Sequence, residues 1–290
     1  MILLSNHLDK ENKDHVVIEI ILNFIKLSLN YQDEKTFKKT KKLLLDYPIE
    51  SKEACEDLIG LYDALHNHCG RFLMQGNENY RNDLFDISKN KYFLLANFKI
   101  NMTANWALIK NISLNAIEIG EFEWAKQFIN DNLISVPPEI REDLKNHLFS
   151  IIEFRKMNYE KSLELAAKVN MNYHNLKLHT KVTMLSCYFE LNAIETALSS
   201  IDSFKHYLTN NLKIEPELKS KFNQFIKVYA QLFKFKLNPD SLNGYDIRNI
   251  KIESEELSFG KKWVSIKLSE FENQLNNGKK NLKSEVFKNK

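Results

Sequence analysis

The sequence predicts an all-α protein: antiparallel helical hairpins stacked into an α-solenoid. Three observations predict it. Glycine and proline are scarce, with Gly 7 and Pro 5 in 290 residues, against average usage of roughly 7% and 5%. Sheet-rich folds spend these residues on tight turns, and long helices do not. Apolar positions recur with helical period from end to end. Short segments with a shared opening also return at a nearly constant step, the signature of stacked helical pairs.

The long helices come first. Val17, Ile20, Ile21, Phe24 and Ser28 share one face of the first. Leu58, Ile59, Tyr62, Leu65, Cys69, Phe72 and Leu73 line a second, and Ile109, Ile112, Ala116 and Ile117 a third. Thr103 fits an N-cap before Trp106, because its hydroxyl can accept from an unpaired first-turn N–H. Ile140, Leu144, Leu148, Ile151 and Ile152 follow, then Leu178, Val182, Leu185 and Phe189. Leu218, Phe222, Phe225, Ile226 and Tyr229 form the clearest stripe. Pro137-Pro138 and Pro216 fit first-turn positions, where a missing N–H costs nothing.

Between these lie shorter helices that open with a large apolar residue and place a small or polar one a turn later. They begin Phe37-Lys-Lys-Thr40, Tyr80-Arg-Asn-Asp83, Phe122-Glu-Trp-Ala125, Tyr159-Glu-Lys-Ser162 and Ile194-Glu-Thr-Ala197, at steps of 43, 42, 37 and 35 residues. The large residue is expected to plug the gap beside the preceding helix. The small one lets the two helices of a hairpin approach. One hairpin cannot bury both apolar faces, so neighbours must stack to complete the core.

Gly120-Glu-Phe122-Glu-Trp-Ala125-Lys-Gln-Phe-Ile129, followed by Pro137, resembles the second half of a tetratricopeptide (TPR) motif. Tyr159, Ser162, Ala166 and Val169 resemble the same half in the next unit, and Ile194, Ala197, Ile201 and Phe204 in the one after. Ser113 and Ser150 lie nine residues before Phe122 and Tyr159, where that family prefers a small residue. Leu185 departs from the rule, and every unit lacks the Trp-x-x-Leu-Gly start. Residues 103–235 also resemble the C-terminal half of a group of larger bacterial proteins, through segments such as GEFEWAKQFI, NYEKSLELA, CYFELNAIETALSSIDSFKHYL and FNQFIKVY. The resemblance implies a TPR-like architecture, a right-handed superhelical array, and no particular reaction. The expected organisation is a TPR-like array over 1–237, capping helices over 238–277 and a disordered Lys-rich tail over 278–290. Residues 90–102 are expected to form a loop.

The charge balance, 41 basic against 38 acidic residues, gives no general case for nucleic acid. Cys55, Cys69 and Cys187 are distant and odd in number, which suggests free thiols in a reducing compartment. Met1 to Ser5 offers no basic n-region and no signal-like apolar stretch, so the expected location is cytoplasmic. The apolar run from Val16 to Leu29 is interrupted by Glu19 and Lys26. It falls short of the ~20 residues a membrane span needs, and no membrane partner is expected.

Candidate chemistry is sparse. His66, His68 and Cys69 are the densest metal-ligand types, but helical residues two apart diverge and cannot readily share one ion. The glycines are scattered, so neither a phosphate-binding loop nor a dinucleotide fingerprint occurs. Glu255-Glu256 is a carboxylate pair among other surface charges. We therefore expect no enzyme activity, no catalytic residue, no metal and no cofactor. The expected function is a protein-interaction scaffold presenting a concave surface to a peptide or partner protein. The expected partner-binding residues are Lys177, Lys181, Lys219, Asn223 and Lys227, a basic patch for an acidic segment. The alternative is a regulatory or nucleic-acid-binding module using basic helix faces, with Lys35, Lys38, Lys39, Lys41 and Lys42 as its densest run. That run is also what the solvated side of a helix carrying Phe37 and Leu44 would show.

Overall fold

The computed structural model describes residues 2–100, 106–170, 174–239 and 243–288, with side chains for 15–100, 106–170, 176–239 and 243–276. The chain is all-α: the described residues form helices and turns with no strand. They divide into two compact units, Met1–Pro138 and Glu139–Lys290.

The first unit contains α1 (Ile2–Leu29), α2 (Glu34–Asp46), α3 (Lys52–Met74), α4 (Arg81–Asn97), α5 (Trp106–Glu118) and α6 (Phe122–Asn132). Each packs on the next. Asp33 caps α2 by accepting from the Thr36 N–H at 3.0 Å, and Ser51 caps α3 through the Ala54 N–H at 3.1 Å. The core joins Ile20 and Leu27 of α1, Phe37 and Leu44 of α2, Tyr62, Leu65 and Cys69 of α3, and Leu84 and Ile87 of α4. Tyr62 takes its polar end to the Leu44 carbonyl and the Asn90 side chain, so its ring is buried without an orphaned hydroxyl.

Three expectations change here. α1 buries Ile20, Asn23 and Leu27, whereas Ile21 and Ser28 face solvent. The helix has apolar residues on both sides, and periodicity alone could not choose between them. Residues 90–97 belong to α4, which ends at Asn97, because Tyr92 and Leu94 still pack inward. Ile194 does not plug a gap: it is 41% exposed, while Ala197 one turn later is fully buried. Thr103, the expected N-cap, lies outside the described residues.

The second unit contains α7, which starts at the boundary (Pro138–Arg155), then α8 (Tyr159–Ala167), α9 (His174–Glu190), α10 (Ile194–Asn210), α11 (Pro216–Leu237), α12 (Gly244–Glu255) and α13 (Lys261–Lys288). Pro138 and Pro216 each occupy the first helical position. From α8 onward each helix packs on the next, and α13 also meets α11. Phe222, Phe225, Tyr229 and Phe233 of α11 form the spine of this core. Burying each such ring contributes about 1.5–3 kcal/mol. The Tyr229 hydroxyl donates to the Leu185 carbonyl at 2.8 Å, tying α11 to α9. Gly260, at φ +68°, faces the Phe225 ring, and an added Cβ would stand 2.6 Å from it. Residues 278–288 fall within α13, and their side chains lie outside the described residues.

One turn recurs in both units. Gly76, Gly120, Met157 and Asn192 all have positive φ, at +85°, +88°, +62° and +55°. Each follows a long helix. In each, the residue's own N–H reaches the carbonyl three back, and the next N–H reaches the carbonyl five back. This is the Schellman ending, which satisfies two orphan carbonyls and stops the helix sharply. In the last three the opening residue of the following helix, Phe122, Tyr159 or Ile194, stands two positions later. The small residue one turn into that helix is buried: Ala125, Ser162 and Ala197 have no exposed surface, and neither has Thr40 of α2. The Ser162 hydroxyl donates to the Ser150 carbonyl across the hairpin at 2.7 Å, so the small side chain also bonds the two helices.

Candidate functional site

A groove of about 610 Å³ runs between α10 and α11, lined by Lys205, Thr209, Asn223, Ile226, Lys227, Ala230, Gln231 and Lys234. Its α11 wall follows from helical spacing. Residues 223, 227, 230, 231 and 234 fall on one side of a helix, while Phe222, Phe225, Tyr229 and Phe233 take the core side. Its α10 wall is Lys205 and Thr209, opposite in character to the core residues Phe204 and Leu208.

Three ammonium groups, of Lys205, Lys227 and Lys234, thus border one groove. Lys227 pairs with Glu253 of α12 at 2.9 Å, but both partners are solvated. Such a pair is worth little and is readily exchanged. Gln231 also lines the groove, and its Oε1 is buried away from solvent without a hydrogen-bond partner. An unsatisfied buried acceptor costs roughly 1–3 kcal/mol.

The expected patch is only partly assembled. Asn223 and Lys227 line the groove, and Lys219 lies one helical turn before Asn223, outside the lining. Lys177 and Lys181 lie elsewhere. Lys177 Nζ stands 4.1 Å above the Tyr207 ring, and Lys181 Nζ stands 5.6 Å from Phe204 and 5.9 Å from Tyr207. Burial lowers both ammonium pKa values, and at Lys181 the charge of Lys177 lowers it further. α10 separates the two sets: Tyr207 meets Lys177 and Lys181 of α9, Lys205 and Thr209 line the groove with α11, and Phe204 packs against both Lys181 and Phe222 of α11. Lys205 and Lys234 were missed for different reasons. Lys205 belongs to a short-spaced helix read for its packing alone. Lys234 extends the Asn223–Lys227 stripe by two further turns, a signal the sequence did carry.

The other candidates resolve into structure. His68 stacks on Phe37 at 4.6 Å and 7°, beside Phe72 and Tyr80. Its pKa is lowered by burial and then by Arg71. Cys55, Cys69 and Cys187 are buried free thiols, and burial raises Cys69 to about 12 and Cys187 to about 11. Among the described residues no group of three or more His, Cys, Asp or Glu is placed to hold a metal. Of the α2 lysines, Lys38 pairs with Glu34, Lys39 with Glu19, and Lys41 with Asp83 and Asp86 at 2.6 Å each. That helix face is substantially neutralised. No described helix is long and apolar enough to cross a membrane.

No family model, curated protein or solved structure matches the chain.

Proposed function

We propose that the chain is a non-enzymatic interaction scaffold, a TPR-like right-handed array whose α10–α11 groove takes an acidic peptide segment. The observation that carries the reading is the groove itself, with three lysines, Lys205, Lys227 and Lys234, at its border. An acidic peptide offers carboxylates to these ammonium groups. Recurrence of one Schellman turn before successive short helices supports the repeat architecture, as does burial of the small residue that follows it. Arrays of this kind present their surfaces to peptides by fold-level analogy.

The test is capture of partners by the intact chain and by a variant carrying Lys205→Glu, Lys227→Glu and Lys234→Glu. At low salt the parent should retain a protein that the variant loses. The same protein should leave the parent as salt rises, because exposed charge contacts are screened over about 8 Å at physiological ionic strength. Equal retention by both chains would remove the groove as the site. Retention of nucleic acid, with a steep salt slope, would favour the nucleic-acid-binding alternative.

A further inference from the structure

α1 carries a second apolar face that the first unit leaves uncovered. Ile18, Ile21, Leu22, Ile25 and Leu29 are 56%, 45%, 52%, 52% and 85% exposed. They lie opposite Ile20, Asn23 and Leu27, which are buried in the core. A helix apolar on both sides is ordinarily enclosed on both sides. Together the five side chains expose on the order of 500 Å² on one side of one helix, the size of the largest apolar patch on a typical monomer, which is often functional.

The spacing and flanking charges of the stripe suit a second helix laid along it. Ile18, Leu22, Ile25 and Leu29 are spaced four, three and four residues apart, a spacing that lets one helix pack along another as in a short two-helix seam. Glu19 and Lys26, seven residues apart, lie together on one flank of that seam. The other flank carries Val17, Ile21, Phe24 and Ser28 and no charge. In a parallel pair the charged flank of one helix would meet the uncharged flank of the other. In an antiparallel pair the charged flanks meet, and Glu19 of each copy comes opposite Lys26 of the other. The same register sets Ile18 against Leu29, and Leu22 against Ile25. Glu19 already pairs with Lys39 of α2, and that hydrogen bond is the main cause of its lowered pKa; Lys26 of the second copy would join this solvated pair.

We propose that the outer face of α1 is an isologous dimer interface, closed by a second copy of the chain packed antiparallel on the Ile18–Leu29 stripe. Twofold symmetry uses every group twice and leaves no seam residue unmatched. Covering the stripe on both copies removes on the order of 1,000 Å², near the lower limit for a specific interface. The dimer is therefore weak and its population depends on concentration.

Sedimentation equilibrium of the full chain across a concentration series tests this directly. The parent should move from monomer to dimer mass within that series. Leu22→Glu with Ile25→Glu should stay monomeric with unchanged far-UV circular dichroism, since both positions face solvent. Lys26→Glu, which places like charges opposite each other, should weaken dimerisation at least several-fold. Adding Glu19→Lys to Lys26→Glu should recover part of that loss. A parent that is monomeric at every concentration overturns the proposal. So does a dimer indifferent to both the Leu22/Ile25 pair and Lys26→Glu, because its interface would lie elsewhere.

Discussion

Lys267 of α13 reaches Glu190, the last residue of α9, at 2.9 Å, and both side chains are almost wholly buried. The two are 77 residues apart in sequence. Glu190 also accepts from the Trp263 indole N–H at 2.6 Å, and Lys267 is completed by Glu270. Burial disfavours the ammonium, but hydrogen bonds from Lys267 to Glu270 and Glu190 outweigh it and raise its pKa. The network clamps the terminal helix onto the body of the second unit.

Removing one member of such a buried pair strands the other. Glu190→Gln keeps an acceptor for Trp263 but removes the charge facing Lys267. We expect a loss of about 3 kcal/mol in urea unfolding, the lower end for a broken buried pair because Glu270 remains. The double variant Glu190→Gln, Lys267→Met should lose less than Glu190→Gln alone. A single variant as stable as the parent would show that the buried pair contributes nothing.

The hairpins close on small residues. Ala125→Leu and Ala197→Leu each insert a branched side chain where no surface is exposed. Each should cost on the order of 1–3 kcal/mol through overpacking. Thermal unfolding checks this, and unchanged midpoints in both variants would contradict the hairpin geometry.

Met157 adopts φ +62° while its side chain is 72% exposed. A left-handed conformation costs an L-residue roughly 1–2 kcal/mol, and no compensating burial is present. Met157→Gly should therefore stabilise the chain by about 1 kcal/mol, and Gly120→Ala at the equivalent turn should destabilise it by a similar amount. A destabilised Met157→Gly variant would mean that the turn is not held as described.

His68 makes the first unit sensitive to acid. Its folded pKa lies below the unfolded value, by burial and then Arg71, so the unfolded chain takes up the proton first. Stability is unaffected well above the unfolded pKa. It falls as pH drops below about 6.5 and continues to fall until the folded ring protonates. His68→Phe should flatten that part of the profile, leaving a smaller slope from His66, whose pKa burial also lowers. An identical pH profile in the variant would contradict this.

The helices were legible in the sequence because apolar spacing and Gly and Pro scarcity are local signals. Pro138, Pro216 and the small residues Ala125, Ser162 and Ala197 stand where their spacing placed them. What was not legible depends on which side of a helix meets its neighbour. Ile21 and Ile20 look alike in sequence, and only packing against Phe37 and Leu44 decides that Ile20 is buried. The lysines show the same limit. Lys181 and Lys227 both sit on polar faces, but the rings of Phe204 and Tyr207 take one and the groove takes the other. Lys205 joins Lys227 through the α10–α11 contact, which no one-dimensional pattern encodes.

The central claim is that an acidic segment enters the α10–α11 groove. Amide and lysine-ammonium NMR of the full chain during titration with a hexaglutamate peptide tests it most directly. Shifts should cluster at Lys205, Thr209, Asn223, Lys227, Gln231 and Lys234, and should collapse when salt is raised. Shifts centred on Lys38 to Lys42 of α2, or none at millimolar peptide, would contradict it.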